Sequence, residues 1–173
     1  MVLFVLRAGL DWLYRLAGAI AALCLVAILL LIVAQMVARW TGEIFPGAPQ
    51  YAGYMMAASA FLAFASALNG GAHIRVSIML NAVPDKVKWL LEIWGFAIGT
   101  AVSAYFVFYA YWFVYWSWRF NEVSQGQDAI LMWIPQSVMV AGGGILTIAF
   151  ADNLLNVLLR GQHNMRSTIV QNH

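Results

Sequence analysis

The stretch from Leu16 to Ala38, LAGAIAALCLVAILLLIVAQMVA, runs for 23 residues without a charge. A helix needs about 20 apolar residues to cross the hydrocarbon layer of a bilayer. Moving outward from it, three more runs have the same character. Tyr51 to Leu68 gives 18 uncharged residues, Ile93 to Trp118 gives 26, and Ala129 to Ala151 gives 23. Transmembrane β-strands are shorter and alternate apolar with polar positions, whereas these runs are continuously apolar. Helices, which satisfy their own backbone hydrogen bonds in lipid, are the reading that remains. Composition agrees, with 64% of the 173 residues hydrophobic and 9% charged, where soluble domains carry about 25% charge. The expectation is an all-α integral membrane protein with four transmembrane helices.

The N-terminal stretch has a signal-like arrangement, with Arg7 and Arg15 before an apolar run. That run is longer than a secretory h-region and no Ala-x-Ala site closes it before Arg39, so it is read as a retained helix. Basic residues set the orientation, because Lys and Arg are held on the cytoplasmic side. Arg7, Arg15, Arg75, Lys86, Lys88, Arg160 and Arg166 fall on one side of the spans, while Arg39 and Arg119 fall on the other. Both termini and the 73–88 connection are therefore expected in the cytoplasm, and 40–49 and 120–128 outside.

The chain divides accordingly into an N-terminal interfacial segment over 1–15, a four-helix domain over 16–160 that includes a cytoplasmic arm at 73–88, and a polar tail over 161–173. The first segment mixes Leu3, Leu6, Leu10 and Trp12 with Arg7, Asp11 and Arg15, the composition of a helix in the headgroup layer. In the arm, Leu80, Val83 and Val87 recur at helical spacing, and Pro84 interrupts them. Two short surface helices meeting near Asn81 to Pro84 are expected.

Little here supports chemistry. Cys24 is the single cysteine, which excludes an intrachain disulfide and argues against structural zinc. His73, His163 and His173 all lie outside the spans, so paired haem ligands inside a bundle are not expected. No nucleophile-base pair or phosphate-binding loop is apparent, so neither an enzyme nor a bound cofactor is expected, nor is a nucleic-acid partner. Gln35, Glu92 and Gln136 lie toward the ends of spans, where a single helix contact suffices. Lys88, four residues before Glu92, is expected to form a structural ion pair with it. Pro135 is placed seven residues into the fourth run, where it would bend the helix, and Gly142, Gly143 and Gly144 follow it.

What the spans do contain is packing material. Ala57, Ala60 and Ala63 line the second helix and Gly95 and Gly99 form a Gly-x-x-x-Gly spacing in the third. Tyr105, Tyr109 and Trp112 recur on one face of that third helix. Together these positions are expected to carry contact with a partner.

The segment Gly70-Gly71-Ala72-His73-Ile74-Arg75-Val76-Ser77, directly after the Ala60 to Leu68 stretch, resembles the small membrane subunit (Q subunit) of tripartite ATP-independent periplasmic (TRAP) transporters. The resemblance extends over nearly the whole chain, through four spans and a proline-containing fourth helix. It departs from the family pattern at Ser77 and at Pro49-Gln50-Tyr51, where acidic residues are frequent. The resemblance implies a non-catalytic scaffold in the bacterial inner membrane. Its partners would be membrane lipids, a large membrane subunit that binds sodium and substrate, and a periplasmic substrate-binding protein that captures an organic anion such as a carboxylate or acidic sugar. Arg75 and His73 would then hold the arm. The competing readings are a freestanding small transporter or channel, or an assembly subunit of another membrane complex.

The orientation is open to a direct check by cysteine accessibility in a Cys24→Ala background. Cysteines placed near Glu43 and Asp128 should react from the periplasm, and those near Lys86 and Arg166 only after permeabilisation. The reverse labelling pattern would reject the assignment.

Overall fold

The computed structural model describes residues 2–43, 46–69, 84–126 and 128–160. They form four helices, α1 (Val2–Trp40), α2 (Ala48–Asn69), α3 (Asp85–Arg119) and α4 (Trp133–Arg160). Each contains a segment long and apolar enough to cross a membrane. The 39 residues of α1 and 35 of α3 reach roughly 58 and 52 Å at 1.5 Å per residue, well beyond a hydrocarbon core of about 30 Å. Both must tilt or project beyond it.

Two boundaries differ from the sequence reading. Residues 1–15 were expected as a separate interfacial segment, yet α1 is unbroken from Val2 through the first span. Leu10 and Tyr14 already pack in the core against α2 and α4. Pro135 falls in the first turn of α4 rather than deep within it. There its missing N–H has no intrahelical acceptor to lose, so it starts the helix instead of bending it. Pro84 likewise stands just before α3, and the second arm helix is simply the opening of α3. The remainder of the arm, with His73 and Arg75, lies outside the described residues, as do the tail and the side chain of Lys88.

Local chemistry explains why α1 and α3 end where they do. At α1, the Glu43 amide donates to the Ala38 carbonyl at 2.9 Å and the Gly42 amide to Arg39 at 3.3 Å. Gly42 adopts φ 78° to allow this. The same pair of bonds closes α3, from Glu122 to Ser117 at 3.0 Å and from Asn121 to Trp118 at 3.2 Å, with Asn121 at φ 49°. Asparagine is the residue other than glycine that best tolerates this left-handed cap. Beyond it, Val123 and Leu131 form an antiparallel bridge. That bridge turns the α3–α4 connection into a closed loop.

The substantial helix packings are α1 on α2, α2 on α4 and α4 on α3. One core group joins Tyr14, Ala65, Leu68 and Ala149, and another joins Ala17, Ala21 and Leu62. Apolar association is no driving force between helices in lipid, so close approach must supply the contact energy. Gly18 is placed where a Cβ would meet the Ser66 hydroxyl at 2.7 Å, and Gly142 where it would meet the Phe61 backbone carbonyl at 2.7 Å. Helix α4 passes through all three of its consecutive glycines without a break.

Those three glycines differ in what surrounds them. A Cβ on Gly142 collides with backbone, whereas one on Gly144 meets nothing within 4 Å. Gly142→Ala should therefore lower stability by about 1–3 kcal/mol through forced separation of α2 and α4. Gly144→Ala should be neutral or stabilising by up to about 1 kcal/mol from helix propensity. Unfolding titrations in mixed micelles compare the two, and equal effects would contradict this packing.

Candidate functional site

Among the described residues, no group of three or more His, Cys, Asp or Glu is arranged to hold a metal ion. Several buried polar side chains bond back to their own helix. Ser103 Oγ donates to the Gly99 carbonyl at 2.7 Å, Asn153 Nδ2 to Ala149 at 2.8 Å, and Asn156 Nδ2 to Asp152 at 2.8 Å, each one turn back along its own helix. Asn153 and Asn156 interact further, and the buried Gln136 Oε1 has no partner among the described residues. Exposed apolar side chains line α1 as well as α3, and two helix faces and one loop carry further detail.

The first face belongs to α2. Gly53, Ala57, Ala60, Phe64 and Ala67 follow the spacing of a single helical stripe, and all five are exposed. Ala63, expected to share this role, turns inward and packs with Ala17, Ala21 and Leu62.

The second face belongs to α3. Its buried positions include Phe96, Ser103, Ala110 and Ser117, repeating every seven residues. That narrow seam rests on α4, assisted by a hydrogen bond from Trp89 Nε1 to the Val157 carbonyl at 3.4 Å. Phe106 also reaches across α4 and stacks on Phe61 of α2, with centroids 5.7 Å apart and planes 11° from parallel. The far side of α3 is uncovered. Tyr105, Tyr109 and Trp112 are 65%, 55% and 44% exposed, more than any anchoring contact to α4 would leave. Tyr105 stacks obliquely on Tyr109 at 4.6 Å, and Trp112, Trp116 and Phe120 continue as a stacked ladder.

The glycine pair of α3 is divided between inside and outside. Gly99 receives the Phe150 ring of α4, which a Cβ would meet at 2.7 Å. Its expected contact with a partner is thus replaced by a contact within the chain. At Gly95 a Cβ meets nothing within 4 Å, so its surface remains available. Glu92 is half-buried and engaged in interactions.

The loop between α3 and α4 was not anticipated as a structural unit. Tyr54 of α2 donates to Ser124 Oγ at 2.7 Å, and Ser117 donates to Glu122 Oε2 at 2.8 Å. The Asp128 carboxylate lies against Gly47, at the start of α2, where a negative charge is favoured by the exposed helix amides. The loop therefore latches the beginning of α2 to the α3–α4 pair. Asn121 was a legible signal for the turn, but nothing in the linear pattern associates Tyr54 with Ser124.

The family model for tripartite ATP-independent periplasmic transporters, DctQ component, matches residues 28–160. That range includes α2, α3, α4 and the C-terminal third of α1. Comparison with individual curated proteins gives no match. With four apolar helices long enough to span a bilayer and a family match over most of its length, this chain is a multi-pass membrane protein that belongs to the DctQ component family of tripartite ATP-independent periplasmic transporters.

Proposed function

We propose that the chain is a non-catalytic scaffold that holds a larger, substrate-carrying membrane subunit in the bacterial inner membrane, with both termini in the cytoplasm. The transported solute is an organic anion such as a carboxylate or acidic sugar. It is delivered by a periplasmic binding protein, and sodium coupling resides in the large subunit. This chain contributes rigid surface.

The observation that carries this reading is the one-sided packing of α3. Tyr105 lies 14 residues before Arg119, roughly 21 Å from that end of the helix and so deeper than an interfacial aromatic belt. Tyr105 and Tyr109 are both exposed on this face, and each carries a hydroxyl donor. Left without an acceptor in hydrocarbon, a hydroxyl costs about 1–3 kcal/mol by mutational measures. A protein partner with an acceptor at that depth removes the cost. The small-residue stripe on α2 supports the same conclusion, since it admits close approach of another helix.

A freestanding transporter would need polar groups or broken helices near mid-depth. The bonding of Ser103 to its own helix and the continuity of α4 favour the scaffold.

Gly95→Leu and Ala60→Leu fill exposed surface without displacing a neighbour inside the chain. Each should lower recovery of the large subunit in pull-down from matched membranes by about tenfold, equivalent to 1.4 kcal/mol. Leu25→Trp on α1 should leave recovery unchanged. Undiminished recovery with both α2 and α3 variants would reject these faces as the interface, and substrate uptake by liposomes containing this chain alone would reject the scaffold reading.

A further inference from the structure

The last turns of α3 carry aromatic rings on both flanks and on the back of the helix. Ser117, at the end of the buried seam, is 1% exposed. At about 100° per residue, Trp116 and Trp118 project on opposite flanks of that seam, and Tyr115 projects away from it. All three are exposed, at 48%, 56% and 37%. A second helix packing from outside covers one stripe of α3, so a single protein contact leaves at least one of these rings facing elsewhere. Rings spread around a helix axis suit the boundary between headgroups and acyl chains, because that layer surrounds the helix.

The opposite end of α3 carries a matching group, with Trp94 67% and Trp89 45% exposed. Trp94 lies 22 residues before Trp116, a rise of roughly 33 Å along the helix. Trp89 lies 29 residues before Trp118, a rise of roughly 44 Å. A bilayer has a hydrocarbon core of about 30 Å, and is about 40–45 Å thick with its headgroup regions. The inner pair of indoles therefore brackets the core and the outer pair matches the full thickness when the helix stands upright. Burying the whole uncharged run from Ile93 to Trp118 would instead require a tilt of about 40°. That tilt would shorten the Trp94 to Trp116 span to about 25 Å and draw an indole into the acyl chains.

We infer that Trp89 and Trp94 at one end, and Tyr115, Trp116 and Trp118 at the other, form two lipid-interface collars that set the depth of α3. They hold it within about 25° of the bilayer normal, so that its excess length projects rather than leans. Apolarity alone leaves this open, because 26 uncharged residues exceed the core and can slide or tilt within it. Tyr105, midway between Trp94 and Trp116, then stands at the bilayer centre. The collars meet lipid around the helix, in contrast to the single face on which Tyr105 and Tyr109 lie.

Spin-label depth measurements test this on the full-length chain with Cys24→Ala, reconstituted in dioleoyl phosphatidylcholine liposomes. A nitroxide is placed in turn at Ile98, Val102, Phe108 and Tyr111, all exposed positions, and its depth is read from collisions with oxygen against a water-soluble nickel chelate. The deepest point should fall between Val102 and Phe108, with depth changing by about 1.35–1.5 Å per residue on either side, as a nearly upright helix requires. A slope below about 1.2 Å per residue, the value for a tilt near 40°, overturns the proposal without reference to any collar variant. So does a deepest point outside that interval. Tyr115→Leu, Trp116→Leu and Trp118→Leu together keep the apolar length and remove the outer collar. With helical circular dichroism unchanged, this variant should show a lower slope or a displaced deepest point, and a profile identical to that of the intact collar rejects the role of the rings. Adducts to the large subunit from photo-probes at both Trp116 and Trp118 in native membranes would mean that protein covers the collar, and would reject it as well.

Discussion

The contact between Gly142 and the Phe61 backbone governs much of the arrangement, because it brings α4 alongside α2 at a distance no side chain would allow. Lipid offers no hydrophobic drive for helices to associate, so shape has to supply the contact energy. Gly18 seating Ser66 on the α1 side, and Gly99 seating the Phe150 ring on the α3 side, extend the same principle through the bundle. Helix α4 thereby becomes the bridge on which α3 depends. The consequence is a helix held along one seam and open elsewhere.

Polar groups in the spans follow a complementary rule. Thr100, Ser103 and Thr147 donate to carbonyls four residues back, at 2.7, 2.7 and 2.9 Å. The backbone of the same helix thus absorbs them, and the lipid-facing surface is left to aromatic and aliphatic side chains. The buried Gln136 Oε1, without a partner among the described residues, departs from this rule, and so do the two ends of the bundle. At one end, Tyr54, Ser124 and Asp128 tie the α3–α4 loop to α2, which stiffens the bundle. At the other, the Tyr14 hydroxyl remains unsatisfied.

The four spans were legible because bilayer thickness acts locally, and each uncharged run declares itself without reference to its neighbours. Helix ends were less so. Pro135 was misplaced within its helix because Ala129 to Met132 are apolar yet belong to the bridged loop, and apolarity alone does not distinguish a helix start from a loop packed beneath it. Which small residues face outward was only partly legible. Ala57 and Ala60 point outward, but Ala63 packs on α1 and Gly99 on Phe150. A small residue marks close approach, and the sequence is silent on whether the approaching surface is in the same chain. The aromatic face of α3 was recognisable because its periodicity is a property of one helix.

The account rests most heavily on α2 and α3, rather than α1, facing the large subunit. Photo-cross-linking from single sites in native membranes reads this directly, with the probe placed in turn at Ala57, Ala60, Tyr105, Tyr109 and Trp112, and at Leu25, Leu29 and Val33 on α1, all of them exposed. The account predicts adducts to the large subunit from the α2 and α3 sites and adducts to lipid alone from α1. Strong subunit adducts from α1 with none from α3 would contradict it.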